Sequence, residues 1–289
     1  MINSILDTIG NTPLVRLEKT EQKFKLRCKL YAKLEYFNPF GSIKDRAALQ
    51  IIKDAEEGNK LLSKIVVEAT SGNLGIALSA ISQIRGYKSI IVMPENASKS
   101  RKQLLDKYGA KVILTDSKLG MQGAIQKAKE IQNSRDLFYS DQFNNYSSVN
   151  AHFLSTAKEI DLQTGGNVDM VVCGIGSGGT ICGIAKYFQK HKHSVKIIGV
   201  LPNTHPHKIQ GIGAGFMPSI LDIDLIGKIL YVSYEDAVKY QEILLQYNSI
   251  FAGLSSGAAL GGIIRYLQNN DCENKNIVII FPDGGERYL

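Results

Sequence analysis

Short apolar runs alternate along the chain with longer segments in which apolar residues recur at helical spacing. The first pattern is typical of buried strands and the second of amphipathic helices. Their regular alternation predicts an α/β fold with two domains, each a mostly parallel twisted sheet flanked by helices. The predicted strands are 30–34, 64–68, 89–93, 111–114, 170–173, 195–201 and 277–281. The predicted helices are 42–57, 75–83, 98–108, 121–132, 148–164, 179–189, 235–246 and 258–268.

Composition and charge narrow the class of protein. The 289 residues are 44% hydrophobic and 21% charged, which is ordinary for a soluble globular chain. The formal net charge is +7, but the basic residues are scattered, so small anionic ligands are favoured over nucleic acid. No apolar run approaches the ~18 residues of a membrane span, and the N-terminus lacks a signal-peptide pattern. We therefore expect a cytoplasmic protein without a membrane partner.

Cysteine and histidine spacing does not favour a metal site. The cysteines form no C-x-x-C pair, and reduced structural thiols are expected. The two H-x-H pairs lack carboxylates or cysteines at ligand spacing, so no metal is expected. The residues concerned are Cys28, Cys173, Cys182 and Cys272, with the histidine pairs His191/His193 and His205/His207.

A glycine-rich turn follows the strand at 170–173 and opens the next helix. Its glycines let the backbone approach an anion, and the helix start favours a phosphate there. The segment 174–179 also satisfies G-x-G-x-x-G, so a dinucleotide site is an alternative. That alternative requires an acidic residue at the end of the next strand, where the chain has Leu201 and Pro202. A single phosphate is the preferred interpretation.

Two further turns carry candidate chemistry. At 69–75, a helix start would direct N–H groups and two hydroxyls at one point, which suits a carboxylate, although a plain capped turn has the same pattern. At 38–46, Lys44 lies in the first turn of a helix, where its positive charge is unfavourable unless the amine is neutralised, as in a Schiff base. On this segment alone, a solvent-exposed lysine stabilised by Asp45 is the preferred interpretation.

Together these segments resemble the cysteine synthase (O-acetylserine sulfhydrylase) family of fold-type II pyridoxal-phosphate enzymes, a fold shared with the tryptophan synthase β chain. The resemblance runs nearly end to end, and the order of the motifs makes it specific. The matching motifs are 9–15, 38–46, 70–73, 120–124, 141–143, 176–180, 211–216, 255–258 and 283–288.

The resemblance implies a role for each matching residue. Lys44 would bind pyridoxal phosphate as a Schiff base, Asn73 would bond the 3′ oxygen of its ring, and Ser255 would meet the pyridine nitrogen. The phosphate would be held by Gly176, Ser177, Gly178, Gly179 and Thr180. The substrate carboxylate would be bound by Thr70, Ser71, Gly72, Asn73 and Gln142. The substrate side would be lined by Gly211, Ala214 and Gly215.

The resemblance also implies a reaction and a domain arrangement. It implies β-replacement on a serine-derived amino acid through an α-aminoacrylate, with O-acetyl-L-serine and sulfide giving L-cysteine and acetate. Residues 1–38 with 147–289 would form the larger, phosphate-binding domain, and 39–146 a smaller mobile domain. A homodimer and binding of the C-terminal tail of serine acetyltransferase are implied as well.

The sequence departs from the family pattern at three positions. Leu74 replaces a threonine, Phe40 replaces a small residue, and Leu201 replaces a glutamate. These changes leave open a relative that consumes cysteine and releases sulfide, or one that forms lanthionine or cystathionine. A non-catalytic peptide-binding relative is a further alternative, against which the intact Lys44 argues.

Overall fold

A computed structural model describes residues 1–135, 137–192 and 194–289, with backbone alone for 134 and 135. The strands are β1 (Leu14–Arg16), β2 (Lys29–Leu34), β3 (Ile65–Ala69), β4 (Lys88–Pro94), β5 (Lys111–Thr115), β6 (Phe138–Tyr139), β7 (Met170–Gly174), β8 (Lys196–Pro202), β9 (Lys228–Val232) and β10 (Asn276–Phe281). The helices are α1 (Glu18–Lys23), α2 (Lys44–Glu57), α3 (Asn73–Ile84), α4 (Lys99–Lys107), α5 (Gly120–Arg135), α6 (Ser147–Ala151), α7 (Ala157–Gln163), α8 (Gly179–His191), α9 (Tyr234–Asn248) and α10 (Leu254–Gln268).

The chain divides into two compact units. The small unit comprises Met1–Asp7 and Lys44–Ser148, and the large unit comprises Thr8–Ile43 and Val149–Leu289. The boundaries expected from the sequence, 38/39 and 146/147, differ from these by five residues and two residues, respectively. The first seven residues belong to the small unit, whereas the sequence interpretation assigned them to the other.

The small unit is built on a parallel sheet with strand order β5-β4-β3-β6. Successive residues of β4 enter two different cores: Ile90 and Val92 pack in one, Ile91 and Met93 in the other. A strand that is buried on both faces requires a nearly continuous apolar sequence, which explains the run at this position. Because β3 is also an inner strand of this sheet, polar side chains at its carboxyl end can be shielded from solvent.

The large unit is built on a sheet with strand order β1-β2-β10-β7-β8-β9, in which β1 alone is antiparallel to its neighbour. β10 lies inside this sheet, with Ile277 and Ile279 in one core and Val278 and Ile280 in the other. The predicted α/β architecture with two mostly parallel sheets is therefore confirmed.

The structure differs from the predicted elements in two ways. The single helix expected over 148–164 is α6 and α7 joined by a π-helical turn, His152–Thr156. The elements β1, β6, β9 and α1 were not predicted. The residues of β1 and β9 are mostly exposed or half-buried, so these strands lack the apolar run that marks the central strands.

Candidate active site

Lys44 is the first residue of α2 and its side chain is half-buried. The residues before it are fixed in the large unit: the Ile43 N–H donates to the Pro282 carbonyl at 2.8 Å, and Ser42 forms a bridge with Asp283. Burial lowers the pKa of the Lys44 ammonium, and a negative charge on Glu68 would act in the opposite direction. A half-buried amine of lowered pKa is more readily neutral, which is what a nucleophile or base requires.

Glu68 was not predicted as a site residue. It is buried in the small unit and contacts the polar side chains of Ser140 and Gln142. It is the penultimate residue of β3, and its Oε2 lies 2.5 Å from Oγ of Ser140. Burial, with the nearby charge of Asp141, raises the pKa of Glu68 to about 8, while its bonds to Ser140 and Gln142 lower it. The signal in the sequence was one carboxylate at the end of an apolar strand, immediately before a candidate turn.

Gln142 lies beside Glu68 and is 7% exposed. Its Nε2 donates to Glu68 Oε1 at 3.3 Å, and the Ala69 carbonyl is 3.5 Å away. Its backbone N–H points to Glu68 Oε2 at 3.4 Å. The predicted carboxylate-binding glutamine is therefore next to the strand end from which the turn at 70–73 starts.

The turn at 70–73 leads directly into α3. Gly72 caps the helix and Asn73 is its first residue, while the Gly72 N–H donates to Oγ1 of Thr70 at 3.1 Å. The carbonyl of Ser71 accepts from Nη1 of Arg101 at 3.1 Å. A helix start presents N–H groups that lack intrahelical partners, so this turn suits an anion.

The glycine turn of the large unit joins β7 to α8. Gly178 caps α8 in the left-handed region with φ +93°, a conformation that favours glycine. A Cβ on Gly176 would lie 2.5 Å from the carbonyl oxygen of Gly211, so a side chain there is excluded. The close approach brings the predicted phosphate turn against the predicted substrate loop. Gly179 and Thr180 are the first residues of α8, so their N–H groups have no acceptor within the helix.

His152 was also not predicted, and it contacts the predicted phosphate turn. Its Nε2 lies 3.2 Å from Oγ1 of Thr180, and its Nδ1 lies 2.9 Å from Oγ1 of Thr156. The ring is buried in the π-helical turn, a distortion that is frequent at functional sites. A Cβ on Gly183 would lie 2.7 Å from Cβ of His152, so the glycine leaves room for this approach.

The loop at 211–215 lies next to the glycine turn, since the Gly213 N–H donates to the Ile175 carbonyl at 2.8 Å. His207 Nε2 is 2.9 Å from the Gly213 carbonyl oxygen. A cavity of about 400 Å³ opens beside this loop. The residues that line it include Gly176, Leu201, His205, His207, Ala214 and Gly215.

The structure shows where Ser255 and the three residues that depart from the family pattern lie. Ser255 is in the first turn of α10 and is 3% exposed. Leu74, the second residue of α3, is 1% exposed, and Phe40 is buried as well. Leu201 lines the cavity beside the 211–215 loop.

The described part of the chain has neither a cluster of metal-binding side chains nor a helix suited to cross a membrane. In residues 1–135, 137–192 and 194–289, no three histidine, cysteine, aspartate or glutamate side chains are grouped as metal ligands would be. His193, one of the four histidines in the H-x-H pairs, lies outside the described residues. No helix in these same ranges has the length and apolar character needed to span a bilayer.

Comparison with known proteins relates the chain to one family. Residues 5–283 match the family described as pyridoxal-phosphate dependent enzyme. A cysteine synthase of Buchnera aphidicola subsp. Schizaphis graminum is 41% identical over 302 residues, covering 98% of this chain and 92% of the relative. The structure of a cysteine synthase from Entamoeba histolytica has a TM-score of 0.96 and 38% identity, covering 100% of this chain and 89% of that one. A hydrogen sulfide-producing enzyme from Fusobacterium nucleatum has a TM-score of 0.94 and 37% identity, covering 100% of both chains.

Proposed function

The chain belongs to the family of pyridoxal-phosphate dependent enzymes that includes cysteine synthase, and we propose that it makes L-cysteine and acetate from O-acetyl-L-serine and sulfide. It is an enzyme of the transferase type with the fold-type II architecture, and its cofactor is pyridoxal phosphate. The names of the cysteine synthases that it resembles support the substrate assignment.

The residues of the large unit fit the phosphate of the cofactor. The observation that carries this part is the glycine turn, in which a Cβ at Gly176 would collide with the Gly211 carbonyl and Gly178 has a positive φ. We assign phosphate binding to Gly176, Ser177, Gly178, Gly179 and Thr180. Backbone N–H groups at the start of α8 supply the donors that a phosphate dianion requires.

The residues of the small unit fit the reacting end of the cofactor and the substrate carboxylate. Lys44 is assigned the Schiff base, because burial lowers the pKa of its ammonium and a neutral amine is the form that condenses with an aldehyde. Asn73 is assigned the ring 3′ oxygen. The carboxylate is assigned to Thr70, Ser71, Gly72, Asn73 and Gln142, which lie at one end of the sheet around Glu68. This juxtaposition of an amine of lowered pKa with a carboxylate-binding turn carries the proposed function.

The chain's own groups divide the work of the reaction. When bound, pyridoxal phosphate supplies an electron sink for the Cα of the amino acid. Lys44 would hold the cofactor and, as a free amine, would be the base that takes the Cα proton of the substrate. Thr70 to Asn73 and Gln142 hold the carboxylate so that this proton stays in reach of Lys44. Ser255 would offer a neutral hydroxyl, rather than a carboxylate, to the ring nitrogen of the cofactor. Gly211, Ala214 and Gly215 line the side from which sulfide adds.

A second candidate function is release of sulfide from L-cysteine. The similarity to the hydrogen sulfide-producing enzyme extends over the whole of both chains. Leu74 and Leu201 change the polarity of two positions relative to the synthase pattern, and Leu201 lines the cavity beside the substrate loop. A less polar cavity suits a thiol or sulfide leaving group better than an acetate.

A substrate panel separates the two candidates. Holoenzyme is mixed with O-acetyl-L-serine plus sulfide, L-serine plus sulfide, or L-cysteine alone, and cysteine and sulfide are quantified. The proposed function predicts that O-acetylserine with sulfide has the highest kcat/KM. Faster sulfide release from cysteine would replace it with the second candidate. Lys44→Ala is the control and should be inactive in every arm.

The same family resemblance supports a proposal about the binding partners and the cellular location of the protein. We propose a homodimer in the cytoplasm that binds the C-terminal tail of a serine acetyltransferase. Such a tail ends in a carboxylate, the group assigned to the turn at 70–73, so a tail peptide should compete with the amino acid. Sedimentation tests the dimer, and competition between the peptide and L-alanine for the holoenzyme tests the tail.

A further inference from the structure

A buried carboxyl group connects the elements that carry the carboxylate-binding residues of the small unit. Glu68 has no exposed surface, and both of its oxygens have polar neighbours. Oε2 is 2.5 Å from Oγ of Ser140, and Oε1 is 3.3 Å from Nε2 of Gln142. The mechanism derived above uses neither Glu68 nor Ser140.

The number of protons shared by Glu68 and Ser140 distinguishes the neutral form of Glu68 from the ionised form. Oγ of Ser140 is 2.5 Å from Glu68 Oε2 and also 3.1 Å from the Val67 carbonyl oxygen. A serine hydroxyl carries a single proton, and a carbonyl oxygen carries none. An ionised Glu68 would leave one of these two oxygen–oxygen contacts without a proton. A neutral Glu68 supplies the second proton: its Oε2 donates to Ser140, which donates to Val67, and the same oxygen still accepts from the Gln142 N–H at 3.4 Å.

The remaining oxygen of a neutral Glu68 is a carbonyl acceptor that faces Gln142. The Nε2 group of Gln142 has two hydrogens, and its contacts to Glu68 and to the Ala69 carbonyl are long, 3.3 and 3.5 Å. Contacts of this length hold an amide more loosely than the usual 2.9–3.0 Å. One hydrogen of the Gln142 amide is directed at Glu68. The other makes only the 3.5 Å contact with the Ala69 carbonyl oxygen and can be donated to a ligand instead.

We infer that Glu68 is a positioning residue that works as a neutral acid, donating its proton to Ser140 and orienting the amide of Gln142 toward the substrate carboxylate. This inference rests on the proposed role of Gln142 in binding that carboxylate. It deepens the proposed function by making substrate binding depend on one buried proton.

Burial and the negative charge of Asp141 favour the neutral form of Glu68 near pH 7, whereas a Lys44 ammonium would favour the ionised form. Lys44 faces it from α2, and Tyr139 and Asp141 face it from β6 and the residues that follow. Burial and Asp141 together raise the pKa of Glu68 to about 8. Above that pH the side chain ionises and places a negative charge beside the site that receives a carboxylate. Substrate affinity should therefore fall as the pH rises through about 8.

The matched variant is Glu68→Gln, which has nearly the same shape, donates as the neutral acid does, and does not ionise. The probe is L-alanine, which has the carboxylate and amine of the substrate but no β-substituent to lose. Its Kd for wild-type and variant holoenzyme is measured by calorimetry between pH 7 and pH 9. If only neutral Glu68 supports binding, wild-type affinity falls about tenfold more than that of the variant over this range. Titration of the alanine amine affects both proteins equally and cancels in the comparison.

Infrared spectroscopy supplies a readout that is independent of ligand binding. Wild-type protein should show the carbonyl stretch of a protonated carboxylic acid at pH 6.5, and this band should disappear by pH 9.5. The band should be missing from Glu68→Gln at both pH values. Glu68→Leu, which removes the anchor of Gln142 altogether, should raise KM for the amino acid more than it lowers kcat, at every pH.

Two results would overturn the inference. One is the same pH dependence of alanine affinity in wild type and Glu68→Gln, or failure of alanine to bind either protein. The other is the absence of a Glu68-dependent carboxylic acid band at pH 6.5. Formation of cysteine, assayed on the same wild-type preparation, reports separately on the proposed function. A missing reaction with an intact band and pH-dependent alanine binding would reject the substrate assignment alone.

Discussion

Oγ1 of Thr180 lies 3.2 Å from Nε2 of buried His152, while Nδ1 of the same ring contacts Oγ1 of Thr156 at 2.9 Å. If Thr180 donates its only proton to a phosphate, its oxygen must accept a hydrogen bond from the ring, so Nε2 carries the hydrogen. Nδ1 is then the acceptor for Thr156. In this tautomer, His152 would align the Thr180 hydroxyl with the proposed phosphate site.

Replacing His152 should therefore weaken cofactor binding. His152→Phe fills much of the same space but leaves the Thr180 hydroxyl without its partner. We expect the Kd for pyridoxal phosphate to rise about fivefold, since one positioned hydrogen bond contributes on the order of 1 kcal/mol. Titration of the apoprotein with cofactor, followed by absorbance, gives this value. His191→Phe, at the exposed end of α8, is the control and should bind as the wild type does.

The fit at Gly176 makes a second prediction. In Gly176→Ala the new methyl would lie 2.5 Å from the Gly211 carbonyl oxygen, and because both are backbone positions one loop must move. We expect a loss of about 1–3 kcal/mol in the free energy of unfolding, with weaker cofactor binding because the phosphate turn is displaced. Gly227→Ala, whose Cβ would be 3.4 Å from the nearest atom, should change neither quantity. Equal effects of the two substitutions would contradict the close packing of this turn.

Glu68 also predicts how stability depends on pH. Burial raises its pKa from the ordinary value of about 4.5 to about 8 in the folded protein, so the folded state holds a proton that the unfolded state releases. The resulting stability is fully present below about pH 4.5 and is lost as the pH rises through about 8. Glu68→Gln does not titrate, so its Tm relative to the wild type should increase from pH 5 to pH 8. Thermal melts of the two apoproteins in one buffer series would measure this difference. A Tm difference that does not change with pH would contradict the raised pKa.

Local pattern was sufficient for the parts of the fold and site that depend on local chemistry. The central strands β4 and β10 were recognisable because both of their faces are buried. The turns that start α3 and α8 were recognisable because glycine and hydroxyl residues concentrate there. Local pattern made Lys44 a candidate, because a lysine in the first turn of a helix is electrostatically unfavourable, but it favoured a solvent-exposed lysine there. The family resemblance then joined these turns into one functional assignment.

Glu68 and His152 could not be identified in this way, since each owes its role to residues far away in the sequence. Glu68 meets Ser140 across 72 positions, and His152 meets Thr180 across 28. A glutamate at a strand end and a histidine within a helix are common, and nothing local distinguishes a buried example from an exposed one. The π-helical turn that positions His152 likewise follows from tertiary packing, so the pattern at 148–164 predicted one uninterrupted helix.

The Schiff base assigned to Lys44 is tested most directly by reducing the cofactor-saturated protein with borohydride and mapping the pyridoxyl label by mass spectrometry. The label should be found on the peptide that contains Lys44, close to one per chain, and Lys44→Ala treated in the same way should lack it. A label on a different lysine, or an unlabelled Lys44 peptide from protein that had bound the cofactor, would contradict the assignment.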